Sequence, residues 1–183
     1  MSRKNNKEHT SDPLPKLGVK PYLELMDQTA SEETDRQAAH LGLLMLWLGD
    51  NVLDAIDLDL SPFGITESKL DLLLLLTLHD GRELVTPSSL ADRLGIRRAS
   101  VTALLDWLEK RHWIVREQSD LDRRMIHVKI SPEGRELVNR ALPAFWSTCS
   151  SIIGDMDAEE RMVVEKLLVK LNTRVEKRLG VGR

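Results

Sequence analysis

Cysteine is almost missing from this sequence: Cys149 is the single one in 183 residues. An intrachain disulfide is therefore excluded, as is any CxxC pair or Cys/His cluster at zinc spacing, and a reducing, cytoplasmic setting is expected. Long apolar runs are missing too. The longest, residues 43–48, is far below the roughly 20 residues a membrane span needs. The start, Met1-Ser2-Arg3-Lys4-Asn5-Asn6-Lys7, is not followed by an apolar stretch, so neither a signal peptide nor a membrane partner is expected. A net charge of −3 argues against a protein that coats nucleic acid indiscriminately, which requires positive charge all over. The sequence has no phosphate-cradling glycine loop, no nucleophile elbow and no HExxH motif, so neither an enzyme nor a bound cofactor is expected. Aromatics make up only 4% while leucine is abundant, a balance that favours helices over strands.

The charge that is present is unevenly placed. From Asp92 to Arg135 there are ten Lys or Arg against seven Asp or Glu, a local balance of +3 that leaves −6 for the remainder. This basic stretch coincides with the most informative pattern in the chain. Thr86 followed by Pro87 reads as an N-cap with proline at the first helical position, and Gly95 closes that short helix after Leu90, Ala91 and Leu94. Only Gly95, Ile96 and Arg97 separate it from a second helix over residues 98–111, whose Val101, Leu104, Leu105 and Leu108 form one apolar stripe. Two short helices joined this tightly make a helix-turn-helix. Residues 113–115 and 125–130 then read as strands around a polar tip, residues 116–124, which makes a hairpin or wing.

The flanks read as helix. Residues 1–30 form an N-terminal arm, flexible or partly helical, with Pro13, Pro15 and Pro21 and one helical turn near Tyr22. Ser31 is expected to cap a helix that occupies residues 31–60 and is apolar on two faces, one for its own lobe and one for a second copy of the chain. Thr66 caps a helix to about His79. Ser131-Pro132 starts another helix, which Pro143 should kink or interrupt, and Gly154 ends that segment. Asp157 and Glu160 form a capping box for the last helix, which ends at Gly180. The fold class that results is mainly α with a small β wing, with residues 61–131 as a winged helix-turn-helix and residues 31–60 and 132–183 as dimerisation helices.

Three segments, in this order and spacing, resemble the MarR family of regulators: Leu90-Ala91-Asp92-Arg93-Leu94-Gly95-Ile96, the run from Val101 to Arg111, and Asp122-Arg123-Arg124 continuing to Gly134. The resemblance covers residues 37–179. It implies a homodimer that binds double-stranded DNA, usually as a repressor, and that a small aromatic or phenolic effector releases. Base-edge contacts are expected of Arg97, Arg98, Ala99 and Thr102 at the start of the second helix, phosphate contacts of Ser88 and Ser89, and a minor-groove contact of Arg124, which the family's Asp-x-Arg pattern implies is oriented by Asp122; Ser100 and Arg123 are further DNA-binding candidates. The sequence departs from the family pattern at Arg97, where a small hydroxyl residue usually caps the recognition helix. It departs again at His112, where a glycine usually allows a left-handed backbone. Asp71 matches an acidic residue of the urate-responsive branch, but residues 1–30 hold no tryptophan and Leu104 stands at the arginine position, so urate is not expected.

Other chemistry carries less. Trp47, Trp107, Trp113 and Trp146, with Phe63 and Met45, could line an aromatic ligand cavity or could be plain core; His40, Met45, Trp47, Phe63, Asp71 and Trp107 are the candidate ligand residues. The five histidines are dispersed, and no metal is expected. Cys149, between Trp146 and Ile152, reads as a small core or interface residue rather than an oxidation sensor. A second reading, from a different class, is a dimeric module whose degenerate winged helix binds protein instead of DNA.

Overall fold

Leucines packed between short helices, closed on one side by a hairpin, make the lobe that carries the site. A computed structural model describes residues 18–81, 84–118 and 125–180. The chain divides into two compact units, Met1–Asn51 and Val52–Arg183.

The N-terminal unit contains α1 (Lys20–Thr29) and the first part of α2 (Arg36–Leu60). The helix in the arm is longer than the single turn expected, with Pro21 in its first turn and Tyr22 against Trp47, ring centroids 6.1 Å apart. The cap of α2 differs from expectation. Residues 31–34 form a turn closed by Thr34 N–H to the Ser31 carbonyl, and the Asp35 carboxylate accepts from Ala38 N–H at 2.9 Å. Asp35 stands three residues before the N–H that it caps, and the helix starts at Arg36.

In the second unit α2 continues to Leu60, a short 3-10 turn follows (Ser61–Phe63), then α3 (Glu67–His79), α4 (Pro87–Leu94), α5 (Arg98–Glu109), β1 (Ile114–Gln118), β2 (Ile126–Ile130), α6 (Pro132–Ser151) and α7 (Ala158–Leu179). Thr66 takes the N-cap position of α3, yet the first N–H is satisfied elsewhere: Glu67 N–H donates to Asp57 Oδ1 at 2.6 Å. The core is leucine-rich and continuous. Leu60, Leu70, Leu72, Leu73, Leu76, Leu105, Leu108 and Leu137 are essentially inaccessible, and each such burial contributes about 1.5–3 kcal/mol before the entropy of ordering is counted.

β1 and β2 pair antiparallel with Ile114 opposite Ile130 and Gln118 opposite Ile126. β1 therefore extends to Gln118, into the segment expected to be the tip. Val85 adds a bond on the far edge of β2, accepting from Val128 N–H at 2.8 Å. Two backbone features join hairpin to helices. His112 adopts φ +60°, the single positive-φ non-glycine among the described residues, so the reversal expected of a glycine is made here by a histidine. Its carbonyl accepts from Ser131 Oγ at 2.6 Å, and its N–H donates to the Glu109 carbonyl at 2.8 Å. At Gly134 the chain passes so close to Trp113 that a Cβ would overlap the Trp113 carbonyl.

α6 runs through Pro143 without ending. Leu137, Val138 and Ala141 are buried before the proline, and Thr148 after it donates to Asp59 Oδ2 at 2.5 Å. Anchors on both sides hold a helix whose proline removes one backbone donor. Asp157 and Glu160 form the expected capping box, with Glu160 N–H to Asp157 Oδ1 at 2.9 Å, and Gly180 ends α7 at φ +70°. No residue of α7 is buried.

Candidate nucleic-acid interface

α4, its turn and α5 are fixed by local chemistry. The Thr86 hydroxyl accepts from Ser89 N–H at 3.1 Å, while Ser89 Oγ accepts from Thr86 N–H at 3.0 Å and lies 2.9 Å from the Thr86 carbonyl, to which it donates. This box uses the Ser89 side chain. Since Pro87 has no N–H and Leu90 N–H bonds the Thr86 carbonyl, Ser88 is the residue of that turn whose donors stay outside these bonds. Gly95, at φ +66°, ends α4, and Ile96 N–H returns to the Ala91 carbonyl. Arg97 is extended at the N-cap of α5, with no side-chain cap, as its departure from a small hydroxyl residue implies.

α5 is divided cleanly by burial. Val101, Leu105 and Leu108 are inaccessible, whereas Arg97, Arg98, Ala99, Ser100 and Thr102 are all exposed at its start. The Thr102 hydroxyl donates to the Arg98 carbonyl at 3.0 Å. These five residues share the outer, N-terminal end of one helix, and two are permanently cationic. Such a helix end offers partial positive charge from its amides and fork-shaped donors from its guanidinium groups, a combination suited to phosphate and to the guanine edge.

The strand beside it is held to α5 by charge. Arg116 reaches Asp106 Oδ1 at 2.6 Å and Glu109 Oε2 at 3.5 Å, and across the hairpin Lys129 Nζ lies 2.6 Å from Glu117 Oε2. Nothing in the sequence marks the Arg116–Asp106 pair, since it exists only because β1 runs along α5. Asp122, Arg123 and Arg124 lie outside the described residues.

The residues proposed for ligand binding do not converge on one described cavity. In the N-terminal unit His40 and Met45 are exposed, and Trp47 is half-buried against Tyr22. In the second unit Phe63 packs on the core. Trp107 sits edge-on to Trp113 at 5.5 Å and is covered by the Arg111 guanidinium at 3.5 Å, with Lys69 Nζ 4.7 Å from its ring centre. Asp71 lines a cavity of about 260 Å³ with Glu67, Leu75, Arg93 and Leu94. Cys149 is half-buried. Among the described residues no group of three or more His, Cys, Asp or Glu could hold a metal ion, and no helix is long and apolar enough to cross a membrane.

Known proteins carry the same arrangement. A model of the MarR family matches residues 63–125, the helix-turn-helix and the start of the wing. The HTH-type transcriptional regulator YhbI of Bacillus subtilis, itself uncharacterized, is 31% identical over 122 residues, covering 66% of this chain and 77% of that one. The chain belongs to the MarR family. As a member it is a DNA-binding transcription regulator with a winged helix-turn-helix. The transcriptional repressor MprA of Escherichia coli is 28% identical over 158 residues, or 85% of this MarR-family chain and 89% of MprA. In fold, the lobe is similar to a mutant of MarR from E. coli complexed with operator DNA, at TM-score 0.66 and 21% identity over 76% of this chain and 99% of that one.

Proposed function

We propose that this MarR-family regulator is a sequence-specific repressor acting as a homodimer. The observation that carries the reading is the exposed cluster Arg97, Arg98, Ala99, Ser100 and Thr102 on the uncapped end of α5. In the major groove Arg98 and Arg97 pair with guanine, and Ala99 and the Thr102 methyl group meet thymine. Ser88 and Ser89, at the start of α4, contact phosphate and set the register. Arg123 and Arg124 enter the flanking minor groove, oriented by Asp122. Residues 61–131 form the reading lobe. Residues 31–60 and 132–183 form the dimer stem, which is supported by the exposed apolar side chains of α7, and residues 1–30 form an arm. A small aromatic or phenolic effector relieves repression; the family resemblance supports that part.

The test is a salt titration of binding to fragments selected from genomic DNA. Contacts to several phosphates make log K fall linearly with log salt, with a slope of roughly −0.9 for each phosphate neutralised. Arg98→Ala should relax base preference in the half-site core, and Arg124→Ala should weaken binding through the flanks. A shallow salt slope with unchanged affinity in both variants would favour the protein-binding module instead.

A further inference from the structure

The first turn of α5 holds a serine with a spare hydroxyl. Ser100 is exposed and its Oγ makes no hydrogen bond among the described residues, whereas the Thr102 hydroxyl is tied to the Arg98 carbonyl. Arg97 is the N-cap, so Ser100 stands at the third helical position, N3. In α4 the N3 residue, Ser89, accepts from the N-cap N–H and completes a capping box. In α5 no side chain caps the helix, and the N–H groups of Arg97, Arg98 and Ala99 have no backbone partner among the described residues.

The same serine follows two exposed arginines, Arg97 and Arg98, at the third and second positions before it. Protein kinases choose substrates by charge pattern, and paired carboxylates grip guanidinium groups in fork geometry. We infer that Ser100 is a phosphorylation site for an arginine-directed serine/threonine kinase. In the transfer, Ser100 Oγ bonds to the γ-phosphorus of ATP and the bond to the β,γ-bridging oxygen breaks. The hydroxyl proton passes to the kinase's catalytic aspartate, and ADP leaves. The group adds a charge of about −1.5 to −2 at a helix N-terminus. There it accepts from the free N–H groups and from the two guanidinium groups, so it supplies the missing cap and occupies the arginines. Its effect on DNA rests on the proposed function; the modification itself does not.

The kinase must open the first turn to reach an extended segment. Arg97 is already extended, at φ −67° and ψ 144°, and Ser100 N–H and Val101 N–H both bond its carbonyl, at 2.9 and 3.2 Å. Val101 is buried, so opening draws one core side chain out, a local event rather than global unfolding.

The test treats the full-length protein with ATP and the catalytic subunit of the cyclic-AMP-dependent protein kinase, with mass spectrometry to locate the phosphate. Ser100 should be modified, and Ser100→Ala should abolish that signal. The double variant Arg97→Gln, Arg98→Gln, checked for folding by circular dichroism, should be modified at least tenfold more slowly. Without DNA, the phosphorylated protein should melt about 1–4 °C higher than the unmodified one, as a completed cap requires. Its affinity for selected genomic fragments should fall at least tenfold. The inference is overturned if Ser100 takes up no phosphate, if the double variant reacts as fast as the natural chain, or if phosphorylation leaves the affinity of a DNA-binding chain unchanged. A chain modified at Ser100 and stabilised by it, yet without DNA affinity in either form, would sink the proposed function and leave the modification site standing.

Discussion

Arg116 of the wing strand and Asp106 of the recognition helix meet at 2.6 Å, with Glu109 one turn further along the same helix. The pair joins α5 to β1, the two elements that the proposed function sets on DNA. Asp106 is well exposed, and a pair of this kind contributes only about 0.5–1 kcal/mol. A double-mutant cycle of Arg116→Met and Asp106→Ala in urea denaturation should give a coupling of that size at low salt and lose it at high salt. Additive effects at low salt would show that the contact does nothing for the fold.

His112→Gly should stabilise the chain. A side chain in the left-handed region costs about 1–2 kcal/mol, and glycine removes that cost while keeping both hydrogen bonds of the reversal, which are made by the main chain. For a chain of this length the melting temperature should rise by about 2–4 °C. A fall on scanning calorimetry would mean that the imidazole makes a contact worth more than the strain.

Gly134→Ala should do the opposite. The new methyl group would overlap the Trp113 carbonyl and crowd Ile130, and since the carbonyl belongs to the backbone, relief requires the start of α6 to move away from the hairpin. A loss of about 1–3 kcal/mol is expected, visible as an earlier denaturation midpoint followed by tryptophan fluorescence. An unchanged midpoint would show that the helix start shifts freely.

α7 provides a test of assembly. Met162, Val163, Leu167, Leu168, Val175 and Leu179 are each at least half exposed in the single chain, an apolar surface that soluble helices cover. Leu168→Glu should shift sedimentation from dimer toward monomer and make the melting temperature rise with protein concentration. A variant that sediments as the natural chain does would place the interface elsewhere.

The helix-turn-helix was legible because its signals are local. Thr86-Pro87, Gly95 and the stripe of Val101, Leu105 and Leu108 each act within one turn of chain, and the helices lie where those residues put them. What the sequence hid depends on distant segments. Asp57 supplants Thr66 as the acceptor at the start of α3, Ser131 bonds the His112 carbonyl across 19 residues, and the burial of His127 follows from α3 and the Leu84–Val85 segment lying against β2. The anchor of α6 beyond Pro143 was hidden for the same reason: the contact of Thr148 is to a residue 89 positions earlier. At the start of α2 two capping residues competed within five positions, and an acceptor placed three residues before a free N–H decided it.

That long link also governs how the lobe can be made on the ribosome. Asp59 closes α2 near the beginning of the lobe, and its partner Thr148 is among the last residues of α6 to be synthesised. Closing so long a loop is entropically costly until the leucines between them have collapsed. The Asp59–Thr148 bond can therefore form only once most of α6 has been synthesised, and a chain stalled before Thr148 lacks it.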